Sequence, residues 1–220
     1  MNIFVGDNAQ GKTNILEAIT FLALTKSHRL GVHPNVIMFD KKKAKIKGVI
    51  QKDKIISKLE IDMAENEKTE IRKVADYISN LNIIVFSPDD LEIIKGSPSV
   101  RRNLLNIQLS QISKVYLNVY NEYNKLLRTR NEYLKVLFQN SIADSSYLDI
   151  ITDKLIEKAV FIYQKRKEYL DFVNQTINTY YKDINGEVGL VVEYQPNIEF
   201  SSYDNESIRK CLKHYYKKNY

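Results

Sequence analysis

Gly6-Asp7-Asn8-Ala9-Gln10-Gly11-Lys12-Thr13 decides how the rest of this 220-residue chain is read. It follows a short apolar run, Ile3-Phe4-Val5. It opens onto Asn14-Ile15-Leu16-Glu17-Ala18-Ile19-Thr20-Phe21-Leu22-Ala23-Leu24, whose apolar residues recur at helical spacing. Strand, G-x-x-x-x-G-K-T, helix is a phosphate-binding loop in the context that separates it from a chance glycine turn. Gly6 and Gly11 free the backbone for φ > 0, so successive N–H groups can turn toward phosphate oxygens. The loop ends at a helix N-terminus, where unpaired N–H groups and the helix dipole favour anions. The pattern puts Lys12 on the β- and γ-phosphates of a nucleotide and the Thr13 hydroxyl on Mg²⁺.

Around that loop the chain is ordinary in composition. It is 44% apolar and 27% charged, as soluble globular proteins are. A net charge of +6 is compatible with a polyanionic partner and equally with a plain solvated surface. Cys211 is the only cysteine, which excludes an intrachain disulfide framework and fits a reducing compartment. No signal-peptide pattern and no apolar run of membrane-spanning length is present, so a soluble, cytoplasmic protein without membrane attachment is expected. The fifteen Tyr and absent Trp carry no functional meaning. A loop strand of this kind is normally central in its sheet, yet here it starts at residue 2, so the chain reads as truncated at its start.

The first helix is predicted from Lys12 to Leu24, with Ile15, Leu16, Ile19, Leu22 and Ala23 toward a sheet. In the polar loop after it, His28 has no second metal ligand at useful spacing, and Arg29 is either a phosphate contact or a solvated arginine. Residues 44–63 alternate as an antiparallel hairpin, Ile46, Gly48 and Ile50 against Leu59, Ile61 and Met63, with Asp53-Lys54 as the turn. Ala64 to Lys68 reads as a polar turn, and Val74 to Leu81 is ambiguous, with a short helix the reading it offers. Asn82-Ile83-Ile84-Val85-Phe86 reads as a buried strand. Ser87-Pro88 and Ser97-Pro98 each start a helix, the first stopping at Gly96. A long helix follows Ser113 to Gln139, with a stripe of Tyr116, Tyr120, Tyr123, Leu127, Leu134 and Leu137. A second runs from Tyr147 to Lys182, making an antiparallel helical hairpin. Asn185-Gly186 is a turn, Leu190-Val192-Tyr194 alternates as a strand, and Asp204 to Lys218 is a last helix packing Ile208, Leu212 and Tyr215.

Hydrolysis needs more than a phosphate loop: a second strand must end in a carboxylate that holds Mg²⁺. The nearest candidates are Asp89 and Asp90, but Ser87 and Pro88 separate them from the apolar run. A metal role and a helix-N-terminus role both stand open for them.

The loop and its helix, Gly6 to Ile19, resemble the corresponding segment of the RecF family, bacterial DNA replication and repair ATPases. Ser27-His28-Arg29 is similar to the polar segment that follows. Phe86-Ser87-Pro88-Asp89-Asp90-Leu91 with Lys95-Gly96-Ser97-Pro98-Ser99-Val100-Arg101-Arg102, and then Thr129-Arg130-Asn131-Glu132-Tyr133-Leu134-Lys135, match two further family segments in order. After the paired arginines the family favours an aromatic, an aliphatic and an aspartate where this chain has Leu104, Leu105 and Asn106. The likeness is looser over 30–80. The family's ABC-type signature motif, Walker B acids and switch histidine have no counterpart here.

The resemblance implies an α/β fold: a P-loop NTPase head of the ABC/SMC type, with an antiparallel β hairpin in lobe one and a long helical hairpin in lobe two. It divides the chain into a partial ATP-binding lobe one (1–90), a helical lobe two (91–184) and a strand and helix (185–220) leading into an absent part. It implies ATP and Mg²⁺ as cofactors and an ATP-dependent homodimer that clamps single- or double-stranded DNA at gaps or ends. It implies partnership with RecO and RecR in recombinational repair, replication and the SOS response. Gly6, Asp7, Asn8, Ala9, Gln10, Gly11, Lys12 and Thr13 form the nucleotide site, with Thr13 the metal ligand and no catalytic residue assigned. Arg101, Arg102, Arg128 and Arg130 are the candidates for DNA phosphates. ATP binding without appreciable hydrolysis is expected of these residues alone. The competing readings are a P-loop kinase or ATPase acting on a small molecule, and a non-functional truncated chain.

Overall fold

The computed structural model of the chain describes residues 1–24, 37–38, 40–64, 81–139 and 145–218, with all of their side chains except those of Lys52 and Asp89. The expectations for residues 25–36 and 65–80, Ser27, His28 and Arg29 among them, lie outside the described residues. The chain divides into two compact units, Met1–Lys114 and Val115–Tyr220, where the sequence reading draws its boundaries after residues 90 and 184.

In the first unit, helix α1 runs Lys12–Leu24, the predicted bounds, and strands β1 (Lys43–Lys52) and β2 (Ile55–Ala64) pair antiparallel. Lys52 pairs with Ile55, so Asp53 and Lys54 are the turn, with Asp53 at φ 54°. Period-two alternation puts Leu59, Ile61 and Met63 on the buried face, opposite Gly48, Ile46 and Ala44. Phe21 and Leu22 of α1 pack onto that face. The approach is close at Gly48, where an added Cβ would lie 2.6 Å from Leu22 Cδ1.

Three expectations for this unit change. Of the stripe predicted on α1, Leu22 and Ala23 are buried, but Ile15, Leu16 and Ile19 are 44%, 51% and 37% exposed. The hairpin packs on Phe21 and Leu22, in the C-terminal half of the helix, and leaves these three outside its contact. Ile3-Phe4-Val5 and Asn82 to Phe86 belong to no ladder, since β1 and β2 are the only paired strands described. The second of these is not fully buried either: Ile84 and Phe86 are 83% and 88% exposed while Ile83 and Val85 face inward. Gln111, itself 3% exposed, supplies what a neighbouring strand would. Its Nε2 donates to Ile83 O at 3.1 Å and its Oε1 accepts from Ile83 N at 2.7 Å.

Pro88–Leu91 forms a 3-10 turn that runs into α2 (Glu92–Lys95), ended at Gly96 by its N–H to Glu92 O. Helix α3 (Pro98–Ile112) starts with proline in its first turn, where no N–H is missed. Through Gln111, α3 holds the extended segment at residue 83, so both belong to one unit.

The second unit contains α4 (Lys114–Gln139), α5 (Ser146–Asn185) and α6 (Asn205–Lys218). Residues rising along α4 meet residues falling along α5: Tyr116 contacts Arg166, Glu122 pairs with Lys158, Arg130 bonds Thr152 and Tyr133 stacks edge-on against Tyr147. That order makes α4 and α5 an antiparallel hairpin, as predicted. Tyr116 is fully buried, and burial pushes its hydroxyl up to about 12. Gly186, at φ 76°, ends α5 in the left-handed conformation that glycine adopts without strain.

The expected strand over Leu190 to Tyr194 is extended and has no backbone ladder. Two asparagines of α5 replace it. Asn178 bonds Gly189 N, Leu190 N and Leu190 O at 2.8–3.0 Å, and Asn174 bonds Val192 N and O at 2.8 Å. Four helical residues rise about 6 Å and two extended residues about 6.6–6.8 Å, so side chains at i and i+4 meet backbone positions two apart. Ile208 and Leu212 of α6 then pack against Ile156, Ala159 and Val160 of α5.

Asp204 caps α6, its carboxylate accepting from the N–H of Glu206 and Ser207 at 2.9 and 2.8 Å and from the Ser202 hydroxyl. The Ser202 and Ser207 bonds hold its carboxyl down at about 2. A folded value below the unfolded one of about 3.9 means the cap contributes fully above that pH and is lost as pH falls toward 2. Replacing Asp204 by Ala is therefore expected to remove helix loss over that window, read by circular dichroism against acid titration of the parent. Gly48→Val is expected to lower stability by about 1–3 kcal/mol through overpacking against Leu22, visible as a lower urea midpoint.

Candidate nucleotide-binding site

The phosphate loop takes its shape from two residues with positive φ, Ala9 at 66° and Gly11 at 84°. Gly6, predicted to share that conformation, does not. A Cβ built on it meets nothing within 4 Å, so the ground beside it is open. A non-glycine residue held left-handed costs roughly 1 kcal/mol or more, because its Cβ crowds the following carbonyl, so the loop holds Ala9 in a strained conformation.

Helical bonding in α1 begins with Ile15 N to Gly11 O at 3.2 Å. The N–H groups of Lys12, Thr13 and Asn14 precede it and are left for a ligand or water. No acidic residue stands in the first turn of α1, so the positive end of its dipole is not neutralised from within the helix. The Lys12 ammonium folds back over the loop, donating to Gly6 O at 2.7 Å and Asp7 O at 2.6 Å. One cation therefore rests on two loop carbonyls, next in sequence to the three N–H groups without a helical partner. Thr13 is exposed at the helix start, where its hydroxyl is accessible to a cation. Residues Gly6 to Gln10 are all exposed, so the cradle faces solvent. This donor set fits a polyphosphate: fixed N–H groups, a lysine and a helix terminus converge, with a hydroxyl for its counter-cation.

Asp90 is committed elsewhere. Its Oδ2 accepts from Ser87 N at 2.5 Å while Asp90 N donates to Ser87 O at 3.0 Å, the reciprocal bonding of a helix start. Of the two roles open to it, the helix-terminal one is therefore the one it fills here. Among the described residues no group of three or more His, Cys, Asp or Glu is placed to hold a metal.

The four arginines proposed for DNA separate into different environments. Arg102 and Arg128 are exposed. Arg101 is exposed but donates to Ile93 O and Gly96 O at 3.1 and 3.0 Å, closing the end of α2. Arg130 is 4% exposed, its Nε on Thr152 Oγ1 at 3.0 Å and its guanidinium 4.6 Å from the centre of the Tyr216 ring. In this structure the helices of its own unit enclose it, a placement unlike that of the exposed Arg102 and Arg128. Its buried role was missed because a cation beside Thr129 in a polar stretch carries no sequence mark of burial.

No family model matches the chain. Curated proteins do. The DNA replication and repair protein RecF of Shouchella clausii (strain KSM-K16) is 38% identical over 216 residues, which is 94% of this chain and 58% of that protein. RecF of Lactobacillus gasseri is 37% identical, over 100% of this chain and 61% of its own length. A solved structure of the recombination mediator protein RecF-ATPrS in the RecFOR pathway superposes with a TM-score of 0.86 at 29% identity, covering 97% of this chain and 60% of that one.

In sequence and in fold, the chain is similar to RecF proteins.

A RecF-ATP structure agrees as well, with a TM-score of 0.85 at 28% identity over 96% of this chain. The fold is thus the ABC/SMC-like P-loop ATPase fold that the resemblance implies. The chain spans about three fifths of the length of the RecF proteins it matches. Among the described residues no helix is long and apolar enough to cross a membrane.

Arg130→Gln is expected to destabilise the second unit by about 2 kcal/mol, lowering the midpoint of denaturant unfolding. It should leave the salt dependence of any DNA binding unchanged, because a buried arginine releases no counterions. A reduced salt slope would restore Arg130 as a phosphate contact.

Proposed function

We propose that this chain carries the ATP-docking part of an ATP-gated DNA-binding protein acting in bacterial recombinational repair, replication and the SOS response. The observation that supports this most is the loop from Gly6 to Thr13: a solvent-facing cradle of N–H groups with Lys12 at its centre, on a fold matching RecF in its ATP-bound form. In this reading the backbone of Gly6, Asp7, Asn8, Ala9, Gln10 and Gly11, with Lys12, holds the phosphates. The Thr13 hydroxyl would ligate Mg²⁺, which neutralises phosphate charge when bound.

A one-sided loop of this type leaves the far side of the nucleotide to another surface. We assign that surface to a second protomer, so that ATP holds two heads together around DNA, with RecO- and RecR-type proteins as partners and the cytoplasm as the compartment. DNA contact runs through cations on phosphates and is largely independent of sequence. With Asp90 engaged in capping, the described residues bind ATP without turning it over efficiently.

Lys12→Ala is expected to weaken binding of a fluorescent ATP analogue by at least about a hundredfold, from loss of the charge-assisted bonds to two phosphates. Titration at fixed Mg²⁺ measures it, and unchanged affinity would refute the assigned loop. ATP-dependent DNA binding by the parent chain tests the wider reading.

A further inference from the structure

Helix α6 carries a charge distribution that the nucleotide site does not use. Arg209, Lys210, Lys213, Lys217 and Lys218 lie along its 14 residues with His214, against one acid, Glu206, in the first turn. All six are exposed, while Ile208 and Leu212 on the opposite side are 0% and 1% exposed against α5. At about 100° per residue the six cover roughly half the helix circumference in two rows, 209-213-217 and 210-214-218. Lys213 meets one acid from the helix packed beneath, Asp153 of α5, at 3.2 Å. Among the described residues no ion pair engages Arg209, Lys210, Lys217 or Lys218.

Helix chemistry alone does not account for this. A macrodipole is complemented by cations in the last turn, which explains Lys217 and Lys218 but not Arg209, Lys210 or Lys213. Arg209 with Lys213, and Lys213 with Lys217, are like charges four apart, which destabilises an isolated helix. A membrane surface is a poor match, because the apolar side of α6 is already spent on α5 and the outward half offers nothing to insert. The row from Arg209 to Lys217 is about 12 Å long, a length of duplex that bears about seven phosphates.

We propose that the outward face of α6 is a contact surface for the phosphate backbone of nucleic acid. This rests on the DNA-binding reading above and places one of its contact surfaces on a helix that carries none of Arg101, Arg102, Arg128 and Arg130. Arg209, Lys210 and Lys217 contact phosphates directly. Lys213 alternates between them and Asp153.

The test uses the full chain and a short fluorescein-labelled DNA duplex, read by anisotropy over a range of salt. The triple variant Arg209→Gln, Lys210→Gln, Lys217→Gln is expected to bind at least about tenfold more weakly at low salt. Its slope of log affinity against log salt should fall by about 2–3, near 0.9 for each phosphate that is no longer neutralised. The control Lys165→Gln, Lys167→Gln removes cations that are paired with Glu168 and Asp171 on α5 and should leave the slope unchanged. Circular dichroism matching the parent establishes that the triple variant is folded; if it is not, Arg209→Gln and Lys217→Gln singly should each lower the slope by about one. A parent that binds DNA and a folded variant with the same affinity and slope would overturn the α6 surface alone. Equal weakening in variant and control would overturn it too, by reducing it to net charge. A parent with no DNA binding even at low salt would overturn both this surface and the reading on which it rests.

Discussion

An extended backbone with no neighbouring strand must find other partners for its N–H and C=O groups, and that demand shapes both units. The ordinary solution, pairing with another strand, is used once among the described residues, between β1 and β2. Elsewhere helices donate side-chain amides instead. Gln111 satisfies both polar groups of Ile83, and Asn174 and Asn178 do the same for Val192 and Leu190. An amide side chain has one donor end and one acceptor end, as a peptide group does, so it can stand opposite an extended residue in a two-bond pair. Each such residue is then tied to a particular helix position, which sets where a sheet-like segment crosses a helix without any sheet.

This also explains what was legible in the sequence. The phosphate loop, its helix, the hairpin turn at Asp53-Lys54, both proline-started helices and the two long helices all announce themselves through local rules. Glycine placement, capping and apolar period act within a few residues, and they place these elements, though not the buried face of α1 or the conformation of Gly6. What local rules cannot carry is the partner. The runs at 3–5, 82–86 and 190–194 have strand-like composition, but a strand is defined by its neighbour. Asn174 and Asn178 look like solvated positions in a polar helix face until the chain returns to meet them. Arg130 looks like an exposed cation until Thr152 and Tyr216 enclose it.

The nucleotide loop was readable because its chemistry depends on residue types at fixed spacing. The division of labour within it was not. The left-handed turn belongs to Ala9 and Gly11, and Gly6 serves by leaving space. Likewise the role of Asp90 turned on whether its carboxylate reached forward to a cation or back to Ser87 N, a choice made by the 3-10 turn that begins at Pro88.

The position of Lys12 has a consequence for selectivity. Its ammonium already holds two good bonds to Gly6 O and Asp7 O, so docking a ligand is an exchange, not an addition. A neutral group offers the lysine nothing better than the carbonyls it must leave. An anionic oxygen does, since an ion pair adds charge attraction to the same hydrogen-bond geometry. The loop thereby sorts incoming molecules by the charge they bring to its floor. A nucleoside or base without phosphate would leave the lysine where it is.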